Sequence, residues 1–257
     1  MVKTSIGAIG AVVVMLSGAG ALRADDVWEG FAPGDDTCNT NVDLVHGQKQ
    51  VHDLQTTGPL DIDFARVQQR AFRSYEVRVM NSPLRLAELS MPNRVDCAGT
   101  VLTAGVPYDT TAHDAAAIRW IAAGDGETYI RTTTSVPVGG GASYEIELLE
   151  TSYSIPRFNN TSTQSTVLLI QNVRAYPVSG SVYFFNPTGG ILGLQPFTLA
   201  ERGLLVLNSG AVPGAAGQSG SVLVSHDGGY GALAGKAVAL EPATGFTFDT
   251  LMVPRAR

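Results

Sequence analysis

The sequence predicts an all-β chain of two tandem antiparallel β-sandwiches, the first jelly-roll-like and the second immunoglobulin-like, behind an N-terminal signal peptide. Three observations carry this expectation. Apolar residues recur with period two in many short segments, the alternation of half-buried strands. Clusters of Gly, Pro and Asn separate those segments, and 29 glycines supply the turns. No segment after the N-terminus sustains a 3.6-residue period; Asp109 to Ala117 has room for one helical turn and no more. Hydrophobic content of 44% with 16% charged residues fits buried cores rather than disorder.

The N-terminal stretch MVKTSIGAIGAVVVMLSGAGALRADD stands apart. It has one early lysine, Lys3, an apolar run from Ile6 to Leu16, and then small residues. The run is shorter than the roughly 20 residues that a bilayer core needs. It has the three-part pattern of a secretory signal peptide over residues 1–24, with cleavage after Ala21 or after Ala24. No other segment is long and apolar enough to span a membrane, so the expected location is secreted, periplasmic or extracellular. The net charge is −6, and removing the leader takes away Lys3 and Arg23 and no acid. Such a chain lacks the basic footprint that nucleic acid or anionic lipid requires.

Cys38 and Cys97 are the two cysteines. In an exported protein such a pair reads as one disulfide, with two buried free thiols as the alternative. With no CxxC or HxxxH nearby they do not read as a metal site.

The first module is expected over residues 27–155. Leu60, Ile62 and Phe64 alternate with Asp61 and Asp63; Tyr75, Val77 and Val79 alternate with Glu76 and Arg78. Ile118 and Trp120 flank Arg119, and Tyr144, Ile146 and Leu148 alternate with Glu145 and Glu147. Asp125-Gly126 between Trp120 and Tyr129 is a two-residue hairpin signal. The stretch LVHGQKQVHDLQTTGPLDIDFARVQQRAFRSYEVRV resembles the bacterial pre-peptidase C-terminal domain. Gly47 stands for that family's glycine turn, Asp61-Ile62-Asp63-Phe64 for its D-x-D with an aromatic, and Tyr75 for the tyrosine near a strand start. GETYIRTTT and SYEIELLE are similar to its closing pair of strands. The resemblance, over most of residues 35–150, implies a jelly-roll-like sandwich in a secreted protein. Such domains usually ride on extracellular peptidases, some relatives bind calcium or polymers, and no peptidase domain accompanies this one.

Asp61 and Asp63, two apart on a strand, share a face and could join Asp35 or Asp36 in a calcium site. The competing reading is a solvated strand face, with Asp61 ending a turn after Gly58-Pro59.

TSYSIPRFNNTSTQST, Thr151 to Thr166, is polar and reads as a connection between modules. Asn159 and Asn160 each begin an N-glycosylation triplet, a pattern common enough by chance that no use is expected. The second module, residues 163–257, offers seven short strands: TVLLIQN, SGSVYFFN, ILGLQPFTL, GLLVLN, SGSVLVSH, AGKAVAL and GFTFDT. That number and spacing suggest an immunoglobulin-like sandwich. Val182 and Phe184 share one face and Tyr183 and Phe185 the other. LAGKAVALEPATGFTFDT is similar in outline to small C-terminal sandwich modules of uncharacterised bacterial secreted proteins.

SHDGGYGALAGKAVALEPATGFTFDT, Ser225 to Thr250, holds the groups most suggestive of chemistry, yet parses as strand, turn, strand, turn, strand. Neighbouring strand residues point to opposite faces, so His226 and Asp227 are not expected to form a dyad; turn geometry leaves a site at His226 as the alternative. Lys236 is expected to snorkel beside Val238 and Leu240. GQSGS lacks the last glycine of a nucleophile elbow, and no phosphate-binding loop or zinc-protease motif is present. Of His46, His52, His113 and His226, the first two are expected as a surface pair across the Gly47 turn. No aromatic platform for sugars stands out. The functional expectation is a secreted, non-catalytic binding or adhesion protein that recognises an extracellular polymer or a surface protein. A structural component of the envelope and an unrecognised hydrolase are the alternatives.

Overall fold

In a computed structural model, residues 38, 40–54, 62–81, 86–91, 103–104, 106–107, 116–134 and 142–256 are described. They form an all-β protein with four antiparallel sheets. The first half contributes β1 (Lys49–Leu54), β2 (Ile62–Gln69), β3 (Ser74–Met80), β4 (Leu86–Met91), β5 (Thr103–Ala104), β6 (Val106–Pro107), β7 (Ala116–Ile121), β8 (Gly126–Thr134) and β9 (Ala142–Glu150). One sheet has the order β1-β9-β3-β7-β6 and the other β2-β8-β4-β5. The alternation read in the sequence fills the space between them: Tyr75, Val77, Val79, Ile118, Tyr144, Ile146 and Leu148 from one sheet meet Ala65, Val67 and Ile130 from the other.

Asp125-Gly126 does not close a hairpin. β7 pairs with β3 and β6, and β8 pairs with β2 and β4, so the chain crosses between sheets at this turn. The turn residues fixed where the chain bends, but the partner of the next strand is a tertiary choice. Asp125 instead accepts the Ala71 N–H at 2.7 Å and ties this crossing to the β2–β3 turn. The segments similar to a closing strand pair, β8 and β9, likewise lie in different sheets. Ala116 and Ala117, at the end of the stretch with room for a helical turn, open β7.

The second half contributes β10 (Tyr153–Asn159), β11 (Ser165–Asn172), β12 (Val178–Phe185), β13 (Ile191–Leu199), β14 (Leu204–Asn208), β15 (Ser219–His226), β16 (Leu233–Glu241), β17 (Phe246–Leu251) and β18 (Val253–Pro254). Its sheets run β13-β12-β15-β10-β18 and β14-β11-β16-β17. The seven expected strands are all present as β11 to β17. Val182 and Phe184 are fully buried, with Phe184 edge-on to Phe158 at 5.2 Å.

Two corrections follow. The expected linker is largely β10, which pairs with β15 and β18 and buries Tyr153, Ile155 and Phe158 in the second core. Residues 151–152 are all that separates it from β9. Pro156 disguised the strand. It falls where the β10–β15 register shifts between Ile155 and Phe158, the irregularity at which a sheet tolerates proline. Strand order also departs from an immunoglobulin-like sandwich of seven strands, in which the first lies beside the second and the third beside the sixth; here β11 lies beside β14 and β16, and β13 beside β12. Here β16 pairs with β11 in the other sheet, and β10 takes the place next to β15. Residues 227–232 make that crossing, ample chain for the roughly 10 Å between packed sheets.

Buried asparagines pin the loops. Asn160 donates to the Ala215 carbonyl at 2.9 Å and accepts from Ser209 Oγ at 2.8 Å. Asn159 donates its amide to Gln164. Both amide nitrogens are thus engaged, and both residues are buried, which is unsuited to glycosylation.

Candidate functional site

Tyr183 and Phe185, on the outer face of β12, meet Phe72 of the β2–β3 turn, with ring centroids 4.9 and 6.3 Å away. Phe72 holds φ = 65°, a left-handed conformation that disfavours a bulky residue. Its carbonyl accepts from Ser225 Oγ. The strained turn therefore drives a wedge from the first half onto the second.

The SHDGGY stretch lies at this junction. His226 ends β15 in step with the core residues Val222 and Val224 and is 1% exposed. Its Nε2 lies 3.0 Å from the Thr151 carbonyl, which can only accept, so Nε2 carries the proton. Nδ1 is left buried without a hydrogen-bond partner. Burial lowers the pKa from 6.5 to about 4, partly offset by the Thr151 hydrogen bond and the nearby Glu76 carboxylate. Asp227 turns the other way, exchanging hydrogen bonds with Ser179: its N–H donates to the Ser179 carbonyl at 2.9 Å and its Oδ1 accepts the Ser179 N–H at 2.8 Å. His226 and Asp227 serve separate partners. Lys236 pairs at the surface with Asp249 at 2.7 Å.

Beyond His226 the loop docks on the first half. Glu76 of β3, 1% exposed, takes Arg119 Nη2 at 2.8 Å and the Tyr230 N–H at 2.9 Å. A Cβ on Gly229 would come 3.1 Å from Glu76 Oε1, so the glycine permits this close approach. The C-terminal tail makes a second tie. Glu150, at the end of β9, binds Arg73 through Oε1 and Arg255 through Oε2, the latter at 2.7 Å. Tyr230 Oη donates to the Arg255 carbonyl at 2.7 Å. His46 Nδ1 accepts the Glu150 N–H at 2.8 Å, and His46 Nε2 donates to the Ala256 carbonyl at 2.8 Å.

A cavity of about 530 Å³ opens beside this tie. Arg70, Arg73, Arg255, His46, Tyr75 and Glu150 line it, together with Asp43 and an apolar side of Leu44, Val45 and Leu148. A smaller crevice of about 340 Å³, sharing Arg70 and Arg73, runs between Phe72 and the outer face of β15. Tyr75 is stacked on Trp120 at 5.3 Å, and its hydroxyl accepts the Arg70 N–H at 2.9 Å. Its pKa is raised, by burial first, so it remains a phenol at neutral pH.

The residues singled out in the sequence are distributed differently from expectation. His46 and His52 are not a surface pair: His46 joins the C-terminal tie, while His52 is buried and stacked on Tyr144 at 5.5 Å. Asp63 is not on a solvated face. It is buried and accepts from Tyr144 Oη at 2.6 Å. Asp35, Asp36, Asp61, His113 and Cys97 lie outside the described residues, and among the described residues no cluster of three or more metal-ligating side chains occurs. Cys38 is buried and is not a free thiol. Among the described residues, no helix is long and apolar enough to cross a membrane. Glu76, Glu150, Arg70 and Arg255 were not singled out by sequence reasoning. Their only signal was charge at strand ends and turns.

No protein-family model matches the chain, and no curated protein matches it.

Proposed function

We propose that this chain is an exported, non-catalytic binding protein whose ligand site is the arginine-lined cleft of its first half, to which the C-terminal tail adds Arg255. The observation that carries the reading is how the titratable groups are used. His226, Glu76 and Glu150 are consumed by contacts that hold the halves together, and Asp227 by its exchange with Ser179 within the second half. The carboxylates in the lining of the open cavity, Asp43 and Glu150, are already paired with arginines, which leaves the Arg70 guanidinium and the Tyr75 hydroxyl as donors there. The export signal over residues 1–24, a Cys38–Cys97 disulfide and a secreted or periplasmic location belong to the same reading. The order β1-β9-β3-β7 against β2-β8-β4-β5 suits a jelly roll, which supports the likeness to the pre-peptidase C-terminal domain.

Co-sedimentation of the purified protein with washed bacterial cells, peptidoglycan, collagen, cellulose and chitin tests it. Saturable retention on one target is expected. Absence of retention on all of them rejects the reading.

One observation favours an assembly role as a second reading. β17 is an edge strand with Phe246, Phe248 and Leu251 exposed, the kind of edge that pairs with another copy. Sedimentation velocity showing a discrete dimer that Phe248→Lys abolishes would support it; a monomer at all concentrations would exclude it.

A further inference from the structure

The charges around the large cavity do not balance. Asp43 is held by Arg66 outside the lining, at 2.6 and 3.0 Å. Glu150 is one carboxylate shared by two guanidinium groups, Arg73 and Arg255. Arg70 contributes a third guanidinium, and that group has no protein acceptor among the described residues; only its backbone is engaged, with Tyr75 and Arg73. Tyr75 is 4% exposed, yet its hydroxyl only accepts, so its O–H proton is an unused donor at the cavity wall. A protein of net charge −6 thus keeps a local excess of positive charge and two kinds of free donor in one pocket.

We infer that this cavity binds the free C-terminal carboxylate of a peptide or protein whose last residue is apolar. The geometry of a guanidinium fork matches a carboxylate, and the phenol supplies a further donor. Leu44, Val45 and Leu148 provide the wall for an apolar side chain. A volume of about 530 Å³ falls in the usual range for a small ligand or chain end. A carboxylated sugar fits less well. Its hydroxyls need several polar partners, and the ring of Tyr75 is already covered by Trp120.

The inference rests on the binding reading above, and fluorescence anisotropy on the full chain tests it. The probe is a labelled Gly-Gly-Ala-Leu peptide with a free carboxylate, and its C-terminally amidated twin is the control. The carboxylate peptide should bind saturably and at least tenfold more tightly than the amide. Arg70→Ala should weaken it by at least tenfold without lowering the melting temperature, because the guanidinium has no fold partner. Tyr75→Phe should weaken it several-fold. Equal binding of the two peptides, no binding, or undiminished binding by Arg70→Ala overturns the inference. Competition by oligogalacturonate but not by unlabelled peptide overturns the peptide assignment. Polymer retention that Arg70→Ala abolishes, with no binding of the carboxylate peptide, defeats this inference while the binding reading stands.

Discussion

Acid should destabilise the second half through one side chain. His226 is neutral in the folded protein because burial disfavours its charged form, and its pKa falls from 6.5 to about 4. The unfolded chain therefore binds a proton that the folded chain refuses across that interval. Stability from this group is full above about pH 6.5 and is lost as the pH falls toward 4. At 1.36 kcal/mol per unit, the total is about 3 kcal/mol, of which about 2 kcal/mol is gone by pH 4.5. Urea unfolding at pH 7.0 and 4.5, followed by a probe in the second half, measures it. With a slope of about 1–3 kcal/mol per molar, the His226 share is a midpoint shift on the order of 1–2 M. His226→Gln separates that share from other acid effects. Its amide can still donate to the Thr151 carbonyl, but it does not titrate. The variant should lose about 2 kcal/mol less than the parent between the two pH values. An identical loss in both proteins would refute the assignment of the neutral, desolvated imidazole.

Three further outcomes are expected. Phe184→Asp places a carboxylate in a fully buried site against Phe158 and should abolish folding of the second half; an unchanged melting temperature would remove Phe184 from the core. Glu76→Ala leaves Arg119 without its buried partner, a loss of about 3–5 kcal/mol, and should split a single calorimetric transition into two as the halves uncouple. One sharp transition at the parental temperature would mean the Glu76 tie does not join them. A Cys38–Cys97 bridge closing about 60 residues contributes on the order of 4 kcal/mol by loop-closure entropy. Reductant should then lower the melting temperature, and thiol reagent should find no reactive cysteine in the unreduced, unfolded protein; two thiols titrated there would disprove the bridge.

The strands were legible because their signal is local. Alternation around Val182 and Phe184, or around Tyr144 and Ile146, names both the strand and the buried face. Where local chemistry competes with tertiary choice, the sequence misleads. Asp125-Gly126 has the residues of a tight hairpin, yet the strands on either side join different sheets. Thr151 to Asn159 looks like a linker because Pro156 and polar neighbours hide a strand whose buried positions are Tyr153, Ile155 and Phe158. The site was less legible still. Glu76 meets Tyr230 across 154 positions and Glu150 meets Arg255 across 105, separations at which no spacing rule operates.

The position of the two buried carboxylates suggests why they persist. Glu76 and Glu150 each lie at the boundary, each with an arginine from the first half and a group from the second. Desolvating a carboxylate is costly, and an apolar contact of equal area would often be as stable. An apolar contact would also tolerate sliding. A buried carboxylate with fixed donors tolerates little, since a small displacement leaves charge unpaired in a low-dielectric site. The two ties act at different points, the Tyr230 loop and the C-terminal tail, so together they resist both rotation and separation. Arg255 is held by one of them, and it lines the cleft. Fixing the halves therefore also fixes the cleft, which lowers the ordering cost of binding in the way that preorganisation does. Stability of the junction and affinity at the cleft should accordingly fall together in Glu150→Gln, whereas Arg70→Ala should touch affinity alone.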